Sequence, residues 1–226
     1  SGVGLLHLFV PQGKKDMFAV SFPEAIIHSQ EDFLSNEYKL TALACGPGLS
    51  TSPLGEKLVS RVLTAYPDLP RILDADALNI IAESPPLLMD ISDNMVLTPH
   101  PKEFSRLGGL SLDAVLSDPI LSASSLAGKL GCTVLLKLAT SVASSPSGSV
   151  RLIDAGSPGM ARGGSGDVLA GIIGAFLAQG YSPLDAAEYG AYIAGVAGEM
   201  AAKEKGEYSM SPLDTIEMIA KAICEK

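Results

Sequence analysis

The sequence predicts an α/β fold, a mostly parallel sheet covered on both faces by helices. Three observations point there. Short apolar runs recur along the chain, several of them followed by a turn and a helix start. Of the 226 residues, 47% are apolar and 18% charged, a balance that suits a large core under a modest surface. The unusual polar residues fall at the C-terminal ends of the predicted strands, where sheets of this class bind ligands. The length suits one domain, residues 1–226, with no linker, repeat or low-complexity tract inside it.

Residues 40–45 (LTALAC) read as a short strand, turned by Gly46-Pro47-Gly48. Ser52-Pro53 then reads as a helix N-cap with proline at the first helical position. Residues 71–73 lead as a strand into Asp74-Ala75-Asp76-Ala77-Leu78-Asn79 and a short helix. Residues 94–98 (NMVLT) lead into Pro99-His100-Pro101, and Pro101 starts a helix with Glu103 in its first turn. Residues 133–137 (TVLLK) form another strand, paired with residues 141–144. The chain then turns helical. Residues 168–179 are apolar all round and rich in small residues, as in a helix buried on every side. Ser182-Pro183 and Ser211-Pro212 open two further helices, over residues 183–203 and 212–224.

Charge and composition exclude several functions. Sixteen basic against 25 acidic residues leave a net charge of −9, which makes nucleic acid and anionic membranes poor partners. A phosphate-bearing ligand must therefore be held by local cations and backbone N–H groups. Cys45, Cys132 and Cys224 are widely spaced and match no metal pattern, so free thiols and a cytoplasmic location are expected. The start of the sequence reads as neither basic leader nor signal peptide. The longest uncharged run, residues 168–184, is broken by Gly174, Gln179, Gly180 and Pro183, against a membrane span.

The stretch ARGGSGDVLAG, residues 161–171, sets glycines around a turn that runs into a helix. Gly163, Gly164 and Gly166 let backbone N–H groups converge, and the helix start adds its positive dipole end. The phosphate-binding loop with Lys and Ser/Thr after its last glycine does not fit, because Asp167 and Val168 stand there. The dinucleotide fingerprint fails as well, with Leu169 where glycine is needed. Two readings of Asp167 remain. It stabilises the helix start, as Asp commonly does, or it faces an acceptor hydroxyl while the turn holds a phosphoryl group in transfer. A base is useful there, because the hydroxyl loses its proton as it attacks phosphorus.

The segment GSPGMARGGSGDVLAG resembles the signature of the ribokinase-like superfamily. Taken with GPGL, DADALN and TPHPKEF, it resembles one branch, the ADP/ATP-dependent NAD(P)H-hydrate dehydratases of the YjeF C-terminal domain type. The likeness covers nearly the whole chain. It implies a ribokinase-like three-layer αβα sandwich and a lyase that acts on hydrated NADH or NADPH (NADHX, NADPHX). Such an enzyme phosphorylates the ring hydroxyl with ATP or ADP, with Mg2+, and then eliminates phosphate to restore the reduced nicotinamide. It further implies Asp167 as catalytic base and Gly48, Asp76, Asn79, His100, Glu103 and Asp167 on the substrate. Lys137, Leu138, Ala139, Thr140, Ser141, Gly163, Gly164 and Gly166 fall on the nucleotide, no protein-ligated metal is implied, and a homotetramer is expected. Residue chemistry alone leaves other roles open: capping or turn bonding for Asp76 and Asn79, first-turn stabilisation for Glu103, a tight turn at Gly48, a solvated strand end for Lys137. Asp74 has no assignable role.

The sequence departs from this branch in three places. Relatives begin earlier, with another strand, a Gly-rich turn and an Ala-rich helix, so an N-terminal strand is expected to be missing and one sheet edge bare. Arg162 stands where a hydroxyl residue is common, and Leu138 where a small one is. Two alternatives follow: a ribokinase-like kinase acting on a small vitamin precursor, or a truncated nucleotide-binding relative without catalysis.

Overall fold

A computed structural model describes residues 2–224. Its first elements form a small unit that the sequence reading did not resolve. Strands β1 (Leu6–Val10) and β2 (Ala25–Ser29) pair in parallel, connected through α1 (Lys15–Ser21). Ser29 then opens α2 (Gln30–Ser35) with a capping box closed by Asp32. Phe9 meets Phe33 edge-on at 4.9 Å, and Phe33 belongs to the main core, so the unit is packed onto the rest of the domain.

The main sheet has six strands in the order β3 (Leu43–Cys45), β4 (Arg71–Leu73), β5 (Met95–Leu97), β6 (Thr133–Leu136), β7 (Ser141–Ser144) and β8 (Val150–Ile153). The first four run parallel, and β7 and β8 are antiparallel. Alternation along these strands sends side chains to two separate cores. Leu73, Leu97, Leu136 and Val142 face a helical layer made of α3 (Pro53–Thr64), α4 (Ala75–Glu83), α5 (Pro101–Gly108), α6 (Leu112–Ser117) and α7 (Pro119–Leu130). Ile72, Val96, Leu135 and Ala143 face α8 (Ser165–Ala178) and α9 (Pro183–Lys205). The final helix, α10 (Pro212–Cys224), closes a third cluster on the far side of α8 and α9 through Ile219 and Ala222. The result is the three-layer αβα arrangement of the ribokinase-like fold, with a mixed, mostly parallel sheet.

Local chemistry explains the element starts. Ser52 accepts from Gly55 N at the head of α3 and Ser182 from Asp185 N at the head of α9, each followed by proline at the first helical turn. Helix α8 differs from its expected form: it starts three residues sooner, and Gly171, one turn after the exposed Asp167, is exposed rather than buried. Helices α8 and α9 approach closely at Gly190, where a Cβ would run into Ile173 Cγ1 and come within 3.3 Å of its Cα. Among the described residues no helix is long and apolar enough to cross a membrane.

The two ends of the sheet differ in kind. At the N-terminal end of β4, the buried Arg71 guanidinium donates to the carbonyls of Val62, Leu63 and Pro67 and to Ser92 Oγ and Asn94 Oδ1. It thereby satisfies carbonyls in the last turn of α3. Burial holds its pKa below the usual arginine value. At the C-terminal end, Asp74 N donates to Cys45 O, Thr98 N to Leu73 O, and Lys137 N to Pro99 O. These bonds carry the ladder one step past the strands and set Cys45, Asp74, Pro99 and Lys137 side by side.

Candidate active site

Held between Pro99 and Pro101, His100 is the N-cap of α5. Its Nδ1 accepts from Lys102 N at 3.1 Å and Glu103 N at 3.4 Å, while Glu103 Oε2 accepts from His100 N at 2.9 Å. This is a capping box with an imidazole in place of the usual hydroxyl. An acceptor role for Nδ1 assigns the ring proton to Nε2, which lies 3.2 Å from Glu103 Oε1. Burial pushes the imidazole pKa below its ordinary value; Lys137 adds to the shift and Glu103 opposes it. The neutral ring therefore dominates at neutral pH, and close to half of its surface stays exposed (46%).

From the neighbouring strand end, Lys137 reaches across the same space. Its Nζ lies 2.6 Å from Asp74 Oδ1 and 4.0 Å from Glu103 Oε2. Both carboxylates are buried, Asp74 at 2% exposure and Glu103 at 6%. Asp74 occupies the N-cap position of α4 yet makes no side-chain cap; its carboxylate goes to the lysine instead. The chain turns sharply there, with Ala75 at φ 48°. Gly46 is required alongside, because it has φ 130° and a Cβ would overlap the Asp74 carbonyl oxygen.

The glycine turn meets this cluster from the opposite layer. Gly164 takes φ 96° as the N-cap of α8, and no side chain caps that end. Ser165 N donates to Arg162 O and Val168 N to Gly164 O, whereas Gly166 N and Asp167 N have no partner among the described residues. A Cβ on Gly166 would sit 3.6 Å from Asp74 Oδ2 and 3.7 Å from Lys137 Nζ, so the first turn of α8 abuts the ion pair. Asp167 follows directly and is exposed. Gly163 has open space above it. Arg162 Nη2 donates to the carbonyls of Glu207 and Tyr208, which ties the turn to the segment before α10.

The remaining expected residues lie on flanking turns and on α4. Gly48, at φ 66°, is exposed, and Asp76 Oδ2 accepts from Ser50 N at 2.8 Å, so the GPGL turn is fastened to the first turn of α4. Asp76 is thus not a cap. Asn79 Oδ1 accepts from Arg106 Nη1 at 2.7 Å, a contact between α4 and α5 rather than a local turn bond. In the β6–β7 turn, Thr140 Oγ1 donates to Asp154 Oδ1 and Ser141 Oγ bonds both N and O of Leu138. Leu138 packs on the core, and Ala139 is exposed. The structure therefore brings His100, Glu103, Lys137 and Gly166 together beside Asp167. Sequence reasoning left two residues without a role, Asp74 and Arg106, because each is defined by a partner on another element.

Chemically, the site offers uncapped helix amides, an ammonium group and an exposed carboxylate in adjoining positions, the donor set for a phosphoryl group next to a base. Among the described residues no group of three or more His, Cys, Asp or Glu could hold a metal ion.

A family profile described as NAD(P)H-hydrate dehydratase matches residues 1–221. The bifunctional NAD(P)H-hydrate repair enzyme Nnr of Moorella thermoacetica is 35% identical over 232 residues, which takes in 97% of this chain and 44% of that protein. The ADP-dependent (S)-NAD(P)H-hydrate dehydratase of Neisseria meningitidis serogroup B is 37% identical over 84% of this chain and 65% of that protein. The chain thus spans less than half of the Moorella protein and under two thirds of the Neisseria one. Among solved structures, the ADP/ATP-dependent NAD(P)H-hydrate dehydratase from Bacillus subtilis co-crystallized with ATP/Mg2+ matches all of this chain and 80% of its own, at 25% identity and a TM-score of 0.85.

Proposed function

This chain belongs to the NAD(P)H-hydrate dehydratase family, and from that premise we propose that it restores hydrated NADH or NADPH to the reduced cofactor at the expense of ATP or ADP. The reaction has two parts. The ring hydroxyl attacks the terminal phosphorus of the nucleotide, losing its proton as the O–P bond forms and the bridging P–O bond breaks. The ring then expels phosphate, and a neighbouring C–H bond supplies the electrons of the new double bond while its proton passes to solvent. Hydroxide is a poor leaving group and phosphate a good one, which is why the nucleotide drives the dehydration.

The observation that carries the reading is the start of α8: two amides, at Gly166 and Asp167, without a partner among the described residues, beside Lys137 Nζ, with Asp167 exposed in the same turn. The amides receive the oxygens of the migrating phosphoryl group, with no reorganisation needed at the moment of transfer. Asp167 takes the hydroxyl proton. Gly163 and Gly164 keep the turn open, while Lys137 and the turn through Leu138, Ala139, Thr140 and Ser141 hold the nucleotide phosphates. His100, Glu103, Asp76, Asn79 and Gly48 orient the dinucleotide, with His100 presenting a neutral ring. Magnesium brought by the nucleotide neutralises phosphate charge. The Neisseria relative is ADP-dependent by name and the Bacillus relative ADP/ATP-dependent, so both donors are tested.

The assay mixes the protein with hydrated NADH and MgATP or MgADP, then follows nicotinamide absorbance and free phosphate together. Equal recovery of both is expected. A kinase would instead accumulate phosphorylated substrate, and no recovery with either nucleotide would contradict the proposal.

A further inference from the structure

We propose that Asp74 is a positioning residue whose buried carboxylate holds the Lys137 ammonium against the first turn of α8, where the phosphoryl group arrives. The inference rests on the function proposed above and gives a role to a residue that the sequence left without one.

Lys137 stands at the end of β6, and Asp74 follows β4, two strands away in the order β4, β5, β6. Adjacent strands lie about 4.8 Å apart, so the two backbones are separated by about 10 Å across the β5 end. Only an extended lysine stem bridges that gap, and ordering such a stem costs conformational entropy. Electrostatics also oppose the placement. The N-terminus of a helix carries a partial positive charge, which pushes an ammonium outward. Here the ammonium lies within 3.7 Å of the Cβ position of Gly166, in that first turn. A counter-charge must hold it there.

Asp74 supplies it. Its Oδ1 is 2.6 Å from Nζ, its Oδ2 lies 3.6 Å from the same Gly166 position, and the residue is 2% exposed. The carboxylate makes no capping bond for α4, although it stands at the position where aspartate commonly makes one. Glu103 is a weaker tether, 4.0 Å away with its oxygens engaged by His100. Asp74 therefore acts through Lys137 and through the helix end, not by touching substrate.

The test compares wild type, Asp74→Asn, Lys137→Met and the double variant. For each, MgADP affinity is measured by calorimetry, kcat and the KM for hydrated NADH by the absorbance assay, and Tm by thermal melting. Asp74→Asn is expected to lower kcat about 100-fold, the scale of losing one electrostatic contact to the migrating group. It also weakens MgADP binding and leaves the KM for hydrated NADH unchanged. The double variant performs no worse than Lys137→Met, because residues acting as one unit are non-additive. Asp74→Glu, which keeps the charge, recovers part of the MgADP affinity. A carboxylate that only holds the fold together would shift Tm and leave kcat and MgADP affinity at wild-type values, which overturns the proposal. Additive losses in the double variant overturn it as well. Should Asp74→Asn fail to fold, Lys137→Met decides alone: wild-type MgADP affinity and kcat in that variant are the contrary result. Wild-type protein that neither binds MgADP nor restores NADH contradicts the proposed function and this inference with it, whereas an active wild type beside an unaltered Asp74→Asn contradicts the inference alone.

Discussion

His100 uses a ring nitrogen as a helix cap, a role only the neutral ring can fill, and burial lowers its pKa in the same direction. Protonating Nδ1 would remove the acceptor for Lys102 N and Glu103 N. The folded-state pKa lies below the ordinary value of 6.5, so the unfolded chain binds the proton more readily. The stabilisation is then complete above about pH 6.5 and is lost as pH falls toward the depressed value. Melting temperature measured from about pH 8 to about pH 5 should fall in the wild type and fall less in His100→Asn, which keeps a capping acceptor but cannot titrate. His28, also lowered by burial and by His7, accounts for part of the slope, so the variant flattens the decline without abolishing it. An unchanged slope would mean that His100 does not titrate differently in the folded protein. At this scale the sequence displayed what lies within one turn: His100 with Glu103, and the glycines with Asp167. It hid Asp74, because its partner Lys137 is 63 residues away.

Helix starts were readable wherever a Ser-Pro pair announced them, since cap, fixed φ and first-turn acid act within four residues. The heads of α3 and α9 follow this rule. The unit of β1, β2 and α2 was not readable. Its strands are half-exposed, carry His7 and His28 hydrogen-bonded to each other at 2.9 Å, and lack clean alternation. Its structure is set by aromatic contacts among Phe9, His28, Phe33 and Tyr38, which come from separate segments. The exposed face of α8 escaped notice for a related reason: a helix apolar all round does not show which side faces the ligand. The seam between α8 and α9 offers an element-scale test. Gly190→Ala should destabilise by about 1–3 kcal/mol through overpacking against Ile173, more than the gain from alanine's helix propensity. Urea titration reads the loss. A variant as stable as wild type would mean that the two helices can separate without cost.

The molecule divides its labour between the two ends of one sheet. Arg71 and its carbonyl partners secure the N-terminal end, while the charged cluster and the α8 amides lie at the C-terminal end. Arg71→Met would leave several buried carbonyls without a donor, at a cost of about 3 kcal/mol, yet MgADP affinity of the folded fraction should match wild type. Denaturant unfolding and calorimetry separate these outcomes, and an equal loss in both would mean that the ends are coupled. At the other end, under the proposed function, amides hold the phosphoryl group while Asp167 deprotonates its acceptor. The most direct measurement is turnover of hydrated NADH by Asp167→Asn at saturating MgATP, with MgADP affinity measured on the same preparation. The expected result is a loss of about 10²- to 10⁴-fold in kcat with nucleotide affinity retained. Wild-type turnover in that variant would contradict the account.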